Sequence, residues 1–451
     1  MNNPCIHDSV ASSAVLQVIG EPKNYKKTRY VYENEPCEAL LAATAVADIT
    51  GGEVILLAPE SLVTSLEPDI DEACKLLENP KMFEQKVLEQ LDNGSENHPK
   101  TTVEILPSVG SFRQREKDWR INAQGTFAAI EAALFLIMKK LVKEGRNITM
   151  VVTSGLNIYP ALALRTLYNI LTYQLLAAYP HEPNPRPCHK IVYHTIPTQE
   201  NEEIQIETQA VETTIYNAFP LTNEEINDLG TVYRGDLRGN LVRCLKNGLK
   251  TFICINRNTP LPLYHGKIIE EISQECVEKL EQQVADDLRK RIEHTVEKEK
   301  VQITIKRSTE NLPISFIRRT MMALAMTKSL MKLVKEARKN MVNGFVPLDA
   351  IKTLFIEEIY QNRPHFTHNR HLLESEVENI EKLRDRLGET EQYLMNFLSG
   401  GKGSSDMVRN FFAHSGFLGD ITYVKKDSSS RILLRYDSER AKDVGEWLLG
   451  R

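Results

Sequence analysis

The residues best suited to chemistry lie in one string, RNFFAHSGF, from Arg409 to Phe417. A histidine such as His414 can take the proton of a ribose 2′-hydroxyl or return one to a leaving 5′-oxygen, because an imidazole titrates near neutrality. An arginine such as Arg409 can hold a phosphate through paired N–H donors and stabilise charge building on its oxygens. An amide such as Asn410 can orient the ring or the phosphate. Asn410 and His414 stand at i and i+4 and share one helix face. Arg409 projects roughly 140° away from His414 in an ideal helix, so only its long side chain brings the two toward one site. Arg-x-x-x-x-His spacing also arises by chance, and by residue type alone an inert helix end remains open.

The elements that position these groups are legible on both sides. A Gly/Ser-rich stretch, SGGKGSSD (Ser399–Asp406), precedes the string, and its Ser404, Ser405 or Asp406 suits a helix N-cap. Gly416 suits the helix C-terminus, which makes the helix short and puts His414 in its last turn. Helical periodicity dominates beyond about Thr222, predicting helices over Thr222–Asn247, Lys267–Lys298, Ser315–Met341, Pro347–Gln361, Leu372–Leu398 and Asp406–Ala413. Phe252–Gly266 reads as an irregular interruption, and Asp420–Lys426 with Ser430–Tyr436 as a hairpin.

The first half reads differently. β-branched runs at Ala14–Gly20, Glu53–Pro59, Thr102–Ser108, Ile148–Gly155 and Lys190–Ile196 alternate with helical segments, and Glu203–Val211 suggests an edge strand. That alternation is the mark of a parallel, doubly wound α/β sheet. If the strand order is 3-2-1-4-5, strands one and four meet at the switch point where such sheets bind ligands. Their trailing loops, Gly20–Tyr25 and Thr153–Tyr159, and the Pro107–Phe112 loop after strand three then form the walls of a pocket. The candidate ligand-binding residues are Gly20, Pro22, Asn24, Tyr25, Ser111, Thr153, Ser154, Gly155, Leu156, Asn157 and Tyr159. Ser154, Gly155 and Asn157 lead into a helix and can aim donors at an anion. No Gly-x-Gly-x-x-Gly follows the first strand, which speaks against NAD or FAD, and ordinary turns remain the plainer alternative.

Composition bounds the rest. At 451 residues two domains are expected, 1–218 and 219–451. The formal charge of −5 means that any RNA contact relies on a local basic surface. Seven scattered cysteines with no Cys-x-x-Cys suggest thiols in a reducing compartment. The N-terminus MNNPCIHDSV lacks a signal-peptide layout, and Ile158–Tyr179 is interrupted by Pro160, Arg165 and Gln174, so a cytoplasmic protein without a membrane span is expected. The triplet His365, His368 and His371 has metal-ligand spacing, but its context favours a loop or a solvated helix start, and no metal is expected. The basic, Met-rich Arg318–Lys339 reads first as a core-facing helix and second as a surface for RNA.

RNFFAHSGF resembles the R-x(4–6)-H motif of the HEPN ribonucleases, and GEPKNY (Gly20–Tyr25), PESL (Pro59–Leu62) and TSGLNIYP (Thr153–Pro160) resemble patterns of the CARF domain. The resemblance implies a Rossmann-like CARF sensor of cyclic oligoadenylates followed by a helical HEPN nuclease, the architecture of ancillary ribonucleases of type III CRISPR systems. It implies a metal-independent endoribonuclease acting on single-stranded RNA and leaving a 2′,3′-cyclic phosphate, with Arg409, Asn410 and His414 as catalytic residues. It further implies cyclic tetra-adenylate as activator and a homodimer, or a multiple of dimers, in which two motifs form one composite site. The chain carries Val-Val-Thr-Ser-Gly where many relatives have Asp-x-Thr-His-Gly, so it departs from them at Ser154. A non-catalytic nucleotide-binding regulator and an enzyme that also cleaves its own cyclic ligand remain alternatives.

Overall fold

The computed structural model describes residues 13–91, 100–152, 158–181, 186–194, 203–213, 217–361, 363–398 and 406–450. The chain forms two compact units, and the first is assembled from Met1–Gln174, Asn184–Thr214 and Val284–Ile317. Its strands begin with β1 (Ser13–Val18), β2 (Thr28–Tyr32), β3 (Glu35–Ala39), β4 (Glu53–Pro59), β5 (Thr101–Leu106) and β6 (Gly110–Arg113). They continue with β7 (Arg120–Ala123), β8 (Asn147–Val152), β9 (Lys190–His194), β10 (Ile204–Ala210), β11 (Thr295–Lys298) and β12 (Gln302–Lys306). The helices between them are α1 (Ala42–Thr50), α2 (Val63–Leu66), α3 (Ile70–Glu78), α4 (Pro80–Leu91), α5 (Phe127–Lys143) and α6 (Ile158–Ala178).

An eight-stranded sheet runs β3-β2-β10-β9-β8-β1-β4-β5. Its parallel core, β5-β4-β1-β8-β9, is the 3-2-1-4-5 order expected from the sequence. β1 and β4 are buried almost end to end, as strands covered on both faces must be, whereas β10 alternates buried and exposed. The β2–β3 hairpin went unseen in the sequence. Its two-residue turn is Glu33-Asn34, both left-handed (φ 52° and 69°), without the glycine that usually signals such a turn.

A second sheet, β11-β12-β7-β6, draws into the first unit a segment from beyond residue 218. The segment Val284–Ile317 returns to the first unit, where β12 lies parallel to β7 with Ile303 opposite Ile121. Lys267–Lys298 is therefore not one helix, since its last four residues are β11. Charged residues mask the two-residue alternation there, but Ile303 and Ile305 are fully buried. Ser111 changes role as well. The expected Pro107–Phe112 loop becomes strand from Gly110, which leaves Ser111 exposed and paired in register with Asn122.

The second unit comprises Leu175–Pro183, Ile215–Gln283 and Arg318–Arg451. Its helices are α7 (Asn223–Asn227), α8 (Gly235–Asn256), α9 (Gln274–Ile292), α10 (Ile314–Arg338), α11 (Leu348–Ile351), α12 (Thr367–Glu381), α13 (Met407–Ala413) and α14 (Ala441–Trp447). Helices α6, α9 and α10 each carry the chain across a boundary between the units. A small antiparallel sheet, β13 (Val346–Pro347), β14 (Gln392–Tyr393), β15 (Thr422–Lys426) and β16 (Ile432–Tyr436), contains the expected hairpin. Phe252–Asn256 is helical rather than irregular, because Phe252, Cys254 and Ile255 are buried. Leu372–Leu398 is helical only to Glu381, since β14 leaves the helix to pair with β15. Thr222–Asn247 is two helices, the first opened by a Thr222/Glu225 capping box. Among the described residues, no helix is long and apolar enough to cross a membrane.

One core contact of the first unit titrates. His189, fully buried before β9, accepts the Ile148 N–H at Nδ1 (3.0 Å) and faces Gln174 Oε1 through Nε2 (2.6 Å). The acceptor role at Nδ1 requires a neutral ring, and burial pushes the pKa from 6.5 down to about 4. Below pH 6.5 the unfolded chain takes up a proton that the folded ring refuses, so this contribution is complete above pH 6.5 and is lost as the pH falls toward 4. Urea unfolding of the first unit is expected to lose about 3 kcal/mol from this residue across that window, and His189→Gln to flatten that component.

Candidate active site

Seven residues make too short a helix to stand alone, so α13 is held from outside. The Asp406 carboxylate caps its start by accepting the Arg409 N–H (3.0 Å), in keeping with one of the three expected N-caps. Phe411 is fully buried and meets the rings of Trp447 (5.5 Å) and Phe412 (5.1 Å). At the other end Ser415 and Gly416 both turn left-handed (φ 51° and 80°), and the Gly416 N–H closes on the Phe411 carbonyl (2.8 Å). Asn258 donates to Ser415 Oγ (2.8 Å), and the Tyr436 hydroxyl donates to the Gly416 carbonyl (2.8 Å). A Cβ on Gly416 would stand 3.1 Å from the Tyr436 hydroxyl and 3.3 Å from Thr259 Cβ, so glycine is required there for space as well as for φ. The backbone of His414 is thus fixed from three sides.

Its side chain is not enclosed. The His414 ring is 56% exposed, and Nδ1 lies 3.3 Å from Oε1 of Glu376 on α12. An Nδ1–H donated to that carboxylate leaves Nε2, with its lone pair, as the outward atom. Arg409 is exposed and Asn410 half-buried on the same helix. Among the described residues no hydrogen bond joins Arg409 to His414, as their divergence around the helix implies. Glu376 was missed in the sequence. It precedes His414 by 38 residues, and nothing local marks it.

In the first unit, the loop after β1 is built around Tyr25, whose hydroxyl accepts the Gly20 N–H (2.9 Å). Burial raises the Tyr25 pKa, and the Gly20 N–H pulls it back. Pro22 is buried at the start of a single helical turn, whereas Asn24 is exposed and donates to Glu21 (3.2 Å). β1 and β8 lie side by side and parallel, with Gln17 opposite Val151, so both strands end at the same edge of the sheet. Thr153, Ser154, Gly155, Leu156 and Asn157 lie outside the described residues. Tyr159 is buried in the first turn of α6, with its hydroxyl 3.0 Å from the Pro107 carbonyl and 3.2 Å from Ser108 Oγ. Its pKa is pushed up to about 12 by burial, so it acts as a neutral anchor for the start of α6.

Beside it lies a polar cluster that the sequence did not reveal. Glu60, at the end of β4, is ion-paired to Arg307 with both side chains almost wholly buried, and His294 Nδ1 stands 3.4 Å from the same carboxylate oxygen. The other Glu60 oxygen accepts the Ser108 N–H (3.0 Å), and Ser108 Oγ accepts the Ser61 N–H (2.8 Å). Glu60 was quoted only as part of PESL, and its cation comes from 247 residues away. Arg307→Met strands the buried carboxylate and is expected to destabilise the first unit by about 3–5 kcal/mol in thermal unfolding, with Glu60→Met/Arg307→Met restoring much of the loss.

Two family models match the chain. The one described as the CARF domain of the CRISPR system endoribonuclease Csx1 matches residues 14–193, and the HEPN domain of the same endoribonuclease matches residues 366–439. No curated protein matches the chain significantly. The first stretch holds the β1 and β8 loops, and the second holds Glu376, Arg409, Asn410 and His414.

Proposed function

The chain belongs to the CARF–HEPN endoribonucleases of CRISPR systems, in which a ligand regulates the nuclease, and on that premise we propose that it cuts single-stranded RNA without a metal when a cyclic oligoadenylate, cyclic tetra-adenylate above all, binds its first unit. The observation that carries the reading is the pose of His414, an exposed imidazole with Nδ1 on a carboxylate and Nε2 free to face substrate. In the proposed reaction Nε2 takes the proton from a ribose 2′-hydroxyl and the 2′-oxygen attacks the adjacent phosphorus. The bond to the 5′-oxygen breaks, that oxygen receives a proton from an imidazolium, and the products are a 2′,3′-cyclic phosphate and a 5′-hydroxyl. Arg409 holds the non-bridging oxygens as their charge grows, and Asn410 orients the phosphate.

One helix turns Arg409 and His414 in different directions, which supports a composite site in which a second copy supplies the complementary pair around a two-fold axis. The activator is proposed to bind beyond the adjacent ends of β1 and β8, through Gly20, Pro22, Asn24, Tyr25, Thr153–Asn157 and Tyr159, the last of these held at the start of α6. Ser111, exposed on β6, is the outlying member of that set. Binding would act by favouring the dimer geometry in which the paired motifs are competent. We propose the first unit, Met1–Gln174, Asn184–Thr214 and Val284–Ile317, as the sensor in place of a continuous 1–218, and we place the enzyme in the cytoplasm.

Fluorescent single-stranded RNA incubated in EDTA, with and without cyclic tetra-adenylate, tests both halves. Strong stimulation is expected, with 5′-hydroxyl products, and His414→Ala or Arg409→Ala is expected to lower kcat roughly 10²–10⁴-fold. Full activity in His414→Ala removes the assignment, and ligand binding without RNA turnover identifies a regulator instead.

A further inference from the structure

We propose that Glu376 is a positioning residue for cleavage, fixing the tautomer and direction of the His414 ring; this rests on the reading of His414 as the proton-transfer group.

The placement of Glu376 follows from how α12 packs. Leu373, Val377 and Ile380 are buried and define the inner face of the helix, and Glu376, one turn after Leu373 and one turn before Ile380, stands at the edge of that face with its side chain 24% exposed. The nearby cations of α12 are engaged elsewhere, because Arg370 (2.9 Å) and His371 (3.3 Å) both pair with Glu374. Among the described residues, His414 is the one partner of the Glu376 carboxylate. Two elements distant in sequence therefore meet through one acceptor and one ring nitrogen. The Ser415–Gly416 turn fixes the backbone of His414 but leaves the ring free to rotate about its side-chain torsions, and Glu376 removes that freedom.

Stability gives little reason for the pair. Both groups are partly solvated, and an ion pair of that kind contributes about 0–1 kcal/mol. Its chemical effect is larger. A neutral imidazole carries one proton, and a carboxylate at Nδ1 keeps it there, so that Nε2 presents its lone pair to the 2′-hydroxyl. Once Nε2 has taken the proton, the adjacent carboxylate stabilises the imidazolium until the proton passes to the 5′-oxygen. The carboxylate takes no proton itself, and no atom of Glu376 enters a bond that is made or broken.

The test uses the full chain with cyclic tetra-adenylate and compares Glu376→Ala and Glu376→Gln with His414→Ala. Glu376→Ala is expected to lower kcat roughly 10–100-fold, the usual loss when the partner orienting a functional imidazole is removed. KM for RNA and the melting temperature are expected to stay nearly unchanged. Glu376→Gln, which keeps an acceptor but loses the charge, is expected to fall between Ala and wild type. Long-range ¹H–¹⁵N spectra of the histidine rings, with His414 assigned from its disappearance in His414→Ala, supply a readout independent of turnover. An Nδ1–H signal in the wild type that moves to Nε2–H in Glu376→Ala supports the proposal. An unchanged tautomer, or a defect confined to KM or to folding, overturns it. If the wild type cuts no RNA, or His414→Ala cuts it fully, the catalytic reading fails, while the spectra still decide whether Glu376 sets the ring.

Discussion

A carboxylate buried at the end of a sheet strand must be neutralised, and much of the first unit follows from how Glu60 meets that demand. The desolvation of Glu60 is offset chiefly by the cation in close contact with it, Arg307, together with the Ser108 N–H on its other oxygen. Arg307 directly follows β12, so to reach Glu60 the chain must come back from the helical region and lay β12 beside β7. The same carboxylate organises the ends of β4 and β5 through Ser108, and Ser108 meets the Tyr159 hydroxyl at the start of α6. The end of the sheet formed by β4 and β5 is therefore braced by polar contacts made inside the core. Residues brought from far along the chain complete that bracing.

The two ends of the chemistry use charge in opposite ways. Around Glu60 the partners are sequestered, and breaking the pair leaves an uncompensated ion in a medium of low polarity. Around His414 they are open to water, and the pair contributes little energy but sets a direction. That contrast fits the task of each. A scaffold needs contacts that are costly to break, whereas the proton transfer proposed for His414 needs a group that stays accessible and correctly aimed.

The short helix that bears Arg409 and His414 shows how an exposed site is kept in place. Only Phe411 enters the core, and the turn beyond the helix is pinned by Asn258 and Tyr436. Much of the holding force sits at or after His414, on a left-handed turn that glycine makes possible. The side chains of Arg409 and His414 are left exposed on the outside.

The sequence by itself determined what local chemistry and periodicity control. Apolar runs at β1, β4, β5, β8 and β9 foretold the parallel core, since such runs bury on both faces only in a covered parallel sheet. The strand order, entertained from the sequence only as a condition, was decided by the fold. The Ser404–Asp406 stretch and Gly416 foretold the two ends of α13, because capping depends on residues adjacent in the chain, and the structure picks Asp406 of the three candidate caps. The tertiary structure alone decided the pairings that span long separations. Glu376 on His414, Arg307 on Glu60 and β12 on β7 join residues whose sequence neighbourhoods carry no mark of the partner. A charged or alternating stretch gains its role only when packing brings a complementary group within about 3 Å, and that proximity is set by the whole chain at once.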